Sequence, residues 1–171
     1  MDKKYTILII DDKTENLHYL NTLLKEENYL VRASTDPIFA INSSKVNPPN
    51  LILLDIKMPN LDGFEVCKLL KNEENLKDIP IIFISALDDV QSKVKAFENG
   101  GVDYITKPFY HEEVLARIES VLRRCSESPQ TEYSFKDIRI NVDDHKVLVN
   151  NTELTLTTTE YNLLQLLIKH P

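Results

Sequence analysis

The chain has 171 residues, 42% hydrophobic and 27% charged, which suits one full α/β domain plus a smaller appendage better than two complete domains. A net charge of −7 disfavours a surface built mainly to neutralise nucleic-acid phosphates. Residues 125 to 171 carry seven acidic and four basic side chains, a balance of −3, so neither part is basic.

The opening Met1-Asp2-Lys3-Lys4 leads into an apolar run too short for a signal peptide, and no run approaches the roughly 18 apolar residues of a membrane span, so a cytoplasmic protein without membrane partners is expected. From there to about Arg124, five short apolar runs alternate with amphipathic stretches: Tyr5–Ile10, Leu30–Ala33, Leu51–Leu54, Ile81–Ile84 and Asp103–Ile105. Helical spacing relates Leu17, Leu20 and Leu24, then Phe64, Cys67 and Leu70, then Val90, Val94 and Phe97, then Leu115, Ile118 and Leu122, so each stretch has one apolar face. Asp36-Pro37 supplies an N-cap and a first-turn proline, which predicts a further helix to about Val46. Strand-helix alternation with near-continuous apolar strands implies a doubly wound α/β fold, a five-stranded parallel sheet covered on both faces.

Residues 125 to 132, Cys-Ser-Glu-Ser-Pro-Gln-Thr-Glu, are polar and without periodicity and read as a linker. The pattern then changes. Ile138, Ile140 and Val142 alternate with polar residues, as do Val147 and Val149, then Leu154 and Leu156, with turn-prone Asp143-Asp144 and Asn150-Asn151 between them. This predicts a small antiparallel meander over 133 onward, followed by a helix opened by the capping box Thr157-x-x-Glu160, with Tyr161, Leu164, Leu167 and Ile168 on one face. Cys67 and Cys125, one in a helical stretch and one in the linker, are expected to be free thiols, and the four scattered histidines to be solvated.

In an open parallel sheet, ligands bind beyond the carboxyl ends of the strands. The residues that end the apolar runs are Asp11-Asp12, Asp55 and Ser85, and Lys107-Pro108 follows the last run. Three carboxylates meeting at a sheet edge repel one another, and a hard divalent cation such as Mg²⁺ relieves that repulsion through oxygen ligands. Asp55 then has the chemistry of a carboxylate nucleophile toward phosphorus, with Lys107 and Ser85 holding other phosphoryl oxygens. Taken singly these residues have plain alternatives: a helix-capping Asp11-Asp12 pair, a turn acid, a serine bonded to its own backbone, a packed Tyr104, a solvated lysine. Their joint placement at the ends of four strands favours the functional reading.

These residues resemble the receiver domains of two-component response regulators over about residues 3 to 124. The resemblance rests on Leu-Ile-Ile-Asp11-Asp12, Leu-Leu-Asp55-Ile-Lys-Met-Pro59-x-x-Asp62-Gly63, Ile-Ser85-Ala86 and Asp103-Tyr104-Ile-Thr-Lys107-Pro108-Phe109. It implies a flavodoxin-like strand order 2-1-3-4-5 and phosphorylation of Asp55 by a sensor histidine kinase. It also implies metal ligation by Asp12, Asp55 and the backbone carbonyl of Lys57, with Asp11 nearby, usually through water. Ser85 and Tyr104 would form the switch, and residues 88 to 123 the output face and a possible homodimer contact.

Residues 133 to 171 resemble the amino-terminal half of an OmpR/PhoB-type winged-helix effector, without the recognition helix and wing, so DNA binding is expected of an intact parent protein rather than of this chain. The receiver departs from that subfamily at Gly100-Gly101-Val102-Asp103, where a second acid usually precedes Asp103, although Lys93, Glu113 and Arg117 match charged positions of its interface. A dehalogenase-like phosphatase would want aspartate at position 57, where lysine stands, and a nucleotide-binding domain a glycine-rich loop, so a turnover enzyme is not expected. A transcription regulator and a stand-alone receiver that signals by protein contact remain as readings of output.

Overall fold

The five apolar runs form strands β1 (Thr6–Ile10), β2 (Leu30–Ser34), β3 (Leu51–Asp55), β4 (Ile81–Ser85) and β5 (Asp103–Thr106) in a computed structural model of the chain. Each strand is followed by a helix: α1 (Thr14–Glu26), α2 (Pro37–Val46), α3 (Gly63–Asn72), α4 (Val90–Glu98) and α5 (His111–Ser126). The structure describes residues 5–126, 132–135, 138–141, 146–150, 152–154, 156–157, 160–161 and 163–164. Two units separate, Met1–Cys125 and Ser126–Pro171.

In the first unit the strands pair in parallel in the order β2-β1-β3-β4-β5, as expected. The chain leaves β1 toward β2 on one side and later returns to place β3 on the other, so the carboxyl ends of β1 and β3 open a crevice. Strand alternation explains the continuous apolar runs. Ile7 and Ile9 join Leu53, Leu20 and Ile118 in one core layer, while Leu8 and Ile10 join Leu54, Phe83 and Leu70 in the other. Each fully buried leucine or isoleucine contributes about 1.5–3 kcal/mol, and two such layers clamp the sheet between helices.

Local chemistry fixes the helix starts. The Asp36 carboxylate accepts from the Phe39 N–H at 3.0 Å with Pro37 at the first helical position. Asp62 and Glu65 form a reciprocal capping box at α3, each side chain accepting a backbone N–H of the other at 2.9 Å. The next residue must be glycine: a Cβ on Gly63 would lie 2.2 Å from the Asp55 backbone oxygen.

Helix α4 departs from the inward-facing pattern. Val90, Val94 and Phe97 are 75%, 48% and 50% exposed, and Ala96 is the buried residue of this helix. The apolar stripe is real but faces outward. Cys125 lies in α5 rather than in a linker, and residues 127–131 lie outside the described residues.

In the second unit β6 (Glu132–Phe135), β7 (Ile138–Asn141), β8 (Lys146–Val149) and β9 (Thr152–Leu154) form an antiparallel meander. Strand β6 adds to the strands read from alternation. Ile140, Val147 and Tyr161 make a small buried cluster with Ile138, Leu156 and Leu164 against it. Glu160 Oε2 accepts from the Thr157 N–H at 2.8 Å, which realises the capping box. Val142, Asp143-Asp144, Leu167 and Ile168 fall outside the described residues.

Candidate functional site

The buried ends of β1 and β3 bring two carboxylates, Asp11 and Asp55, to the crevice, and Asp12 adds a third. Among the described residues, this is the group of acidic, histidine or cysteine side chains whose ligand atoms converge, all within 4.8 Å of one another. From the far side of the sheet, Lys107 follows β5 and its Nζ reaches Asp11 Oδ2 at 2.8 Å and Asp55 Oδ1 at 2.7 Å. One ammonium thus bridges two buried carboxylates. Three formal negative charges against one positive leave the crevice acidic.

Burial is the largest influence on Asp55 and pushes its carboxyl up; Lys107 opposes this, while Asp11 and Asp12 add to it. Burial would lower the Lys107 ammonium, but its hydrogen bonds to Asp11 and Asp55 carry it above its ordinary value. Each partner therefore favours the charged form of the other, against the burial that opposes both. Asp12 Oδ1 is buried and has no hydrogen-bond partner. An orphaned carboxylate oxygen among all-oxygen donors fits a hard divalent cation, since such an atom is costly to bury unless something positive faces it.

The other expected residues fall around this centre. Lys57 is exposed in the loop after β3. Ser85, fully buried at the end of β4, accepts the Leu87 N–H on Oγ at 3.1 Å. Tyr104 is turned into the core, and its hydroxyl donates to the Leu87 carbonyl at 2.7 Å. Both hydroxyls therefore grip the same backbone unit. Burial raises the Tyr104 phenol above its ordinary value. Asp11 and Asp12 do not cap α1, whose N-cap is Lys13; instead Asp11 Oδ1 accepts the Lys13 N–H at 2.9 Å.

On the expected output face, Lys93 pairs with Asp88, and Arg117 with both Asp103 and Glu113. Two residues at the crevice escape sequence reading. Asn16 donates to Asp11, and Tyr19 packs on Phe109 with ring centroids 5.4 Å apart. With Lys13, Ala86, Lys107 and Pro108 these residues line a cavity of about 560 Å³. Asn16 and Tyr19 sit on the outward side of an amphipathic helix, where polar and aromatic residues read as ordinary surface.

A doubly wound sheet whose carboxyl edge holds an acidic triad and a bridging lysine defines a receiver module. The chain belongs to that family: the response regulator receiver domain matches residues 7–119. Over 97% of its length it is 39% identical to a probable transcriptional regulator, ycf27, of Porphyridium aerugineum, of which it covers 71%. It is 33% identical to the DNA-binding response regulator MtrA of Mycolicibacterium paratuberculosis, covering 96% of this chain and 72% of that one. Among solved structures, the response regulator DrrB of Thermotoga maritima, an OmpR/PhoB homologue, matches 98% of this chain and 73% of its own at 26% identity and a TM-score of 0.65. A response regulator from Chloroflexus aurantiacus matches 71% of this chain at 31% identity and a TM-score of 0.68. The protein is a two-component response regulator receiver homologous to OmpR-type DNA-binding regulators, with the acidic triad typical of the receiver Mg²⁺ site. No helix among the described residues is long and apolar enough to cross a membrane.

Proposed function

We propose that Asp55 accepts a phosphoryl group from the phosphohistidine of a sensor histidine kinase. An Asp55 carboxylate oxygen attacks phosphorus, a P–O bond forms as the P–N bond breaks, and the imidazole leaves with the electron pair and takes up a proton. Asp12, Asp55 and the Lys57 backbone carbonyl would hold Mg²⁺, with Asp11 acting through water. Bound Mg²⁺ supplies positive charge against the phosphoryl oxygens. Lys107 meets a second phosphoryl oxygen with its ammonium, and the Ser85 hydroxyl hydrogen-bonds a third. The observation that carries the reading is the Lys107 ammonium bridging two buried carboxylates beside the unpartnered Asp12 oxygen.

Output follows from the switch. When the Ser85 hydroxyl turns to the phosphoryl group it releases the Leu87 N–H, and the Tyr104 bond to the Leu87 carbonyl transmits the change into the loop before α4. The outward stripe of α4 supports protein contact over residues 88 to 123, with a second copy as the expected partner. The parent protein is read as a cytoplasmic DNA-binding transcription regulator whose residues 133 to 171 begin a winged-helix effector; regulators of that kind align with this chain over nearly its whole length. It performs no turnover on external substrates. A second reading, output by protein contact without DNA, draws on the same exposed α4 stripe.

The test is intact-mass measurement after incubation with Mg²⁺ and acetyl phosphate. A single labile phosphoryl adduct, dependent on metal and absent from Asp55→Asn, is expected. An adduct that persists in Asp55→Asn places the acceptor elsewhere.

A further inference from the structure

We propose that Asn16 is a positioning residue for the divalent cation and acts through Asp11; the inference rests on the metal reading above. Asn16 stands in the first turn of α1, half-buried, and its Nδ2 donates to both oxygens of Asp11, at 3.1 Å and 2.9 Å. Asp11 also accepts from the Lys13 N–H at Oδ1 and from Lys107 at Oδ2. A carboxylate turns about a soft Cβ–Cγ torsion, so a contact to one oxygen lets its plane pivot. A donor that straddles both oxygens holds the plane.

The residue type matters as much as the contact. Lysine or arginine at position 16 would fix Asp11 equally well but would cancel the charge that draws a cation into the crevice. An acidic side chain would repel Asp11. An amide orients the carboxylate and leaves its charge intact. Asn16 also differs from Lys107, whose ammonium is shared with Asp55 and is committed to a phosphoryl oxygen in the proposed reaction. As Lys107 leaves Asp11, Asn16 and the Lys13 N–H keep the carboxylate in place. Partners that orient ligand groups at metal sites change metal affinity without touching the ion.

The test is a double-mutant cycle on the full chain, with Mn²⁺ as the probe and free Mn²⁺ read by electron paramagnetic resonance. Asn16→Leu, close in size but without a donor, is compared in the wild-type and Asp11→Asn backgrounds, with Asn16→Ala in parallel because it cannot clash. The expected result is a loss of affinity of about tenfold in the wild-type background. In the Asp11→Asn background the same change should move affinity by less than about twofold, because the group through which Asn16 acts is already neutral. An equal loss in both backgrounds would show that Asn16 acts elsewhere and overturn the proposal, as would unchanged or tighter binding in the wild-type background. A wild-type chain that binds no Mn²⁺ would overturn the metal reading itself and this inference with it.

Discussion

Lys107 and Asp55 stand 52 positions apart in the chain and meet at 2.7 Å, the lysine side chain 17% and the aspartate 4% exposed. The contact ties β3 to the loop after β5 and offsets the repulsion among three acids. Replacing Lys107 with methionine keeps the stem and removes the charge, leaving Asp11 and Asp55 buried without their cation. The expected cost in chelator is of the order of 3 kcal/mol, read by urea unfolding at neutral pH. Added Mg²⁺ should raise the stability of this variant by more than that of the wild type. Equal stability of the two chains in chelator would mean that the ammonium does not neutralise the site.

Gly63 seats the start of α3 against the backbone of the phosphoacceptor position. Alanine there would put its Cβ 2.2 Å from the Asp55 carbonyl, an obstacle of backbone that cannot rotate away. Overpacking of this kind destabilises by roughly 1–3 kcal/mol, and the shift falls on Asp55 itself. Gly63→Ala should therefore lose both stability and phosphoryl uptake, measured by urea unfolding and intact mass. Full uptake in a destabilised variant would separate the two roles.

Cys67 is buried with its Sγ 3.1 Å from the Asn99 carbonyl, and burial pushes its thiol up to about 11 from an ordinary 9.0. Near pH 8 this leaves about a hundredfold fewer thiolates than an ordinary cysteine. One fast-reacting thiol, the exposed Cys125, is expected with a disulfide reagent, and a second after unfolding. The folded value lies above the unfolded one, so the group's contribution is fully present below about pH 9 and is lost as pH rises toward about 11. The stability advantage of wild type over Cys67→Ala should accordingly shrink across that window. A constant difference would place the ionised thiol in water.

Phe97 and Val94 lie on the outward stripe of α4. Phe97→Ser should change monomer stability by no more than about 0.5 kcal/mol, as for other surface substitutions. If this stripe is the contact between copies, the same variant should abolish a phosphodonor-dependent shift in sedimentation. A variant that still shifts would move the contact off this helix.

The sheet was legible because its signal is redundant: five short apolar runs of strand length, joined by stretches of helical period. The crevice was legible because the sheet edge is a fixed address, so the residues ending each run had to meet. Period alone could not tell which way α4 faces. Val90, Val94 and Phe97 outweigh Ala96 in any apolar pattern, yet the small residue fits against the sheet and the large ones remain outside. Asn16 was invisible for a related reason. A polar residue in the first turn of a helix reads as solvated, and only the folded chain brings it onto Asp11. Strand β6 offered two aromatic residues, Tyr133 and Phe135, in alternation, too short a pattern to stand out.

Ala96 has one further consequence. Four leucines of α1 are buried, whereas α4 commits one methyl group to the interior. A helix moored so lightly can slide or fray at a small fraction of the free energy of global unfolding, and its amide protons should exchange with solvent well before those of α1. The helix that follows the Ser85 strand is therefore also the most lightly anchored of α1 to α5, which lets a modest change in charge at the sheet edge appear as a visible change in shape.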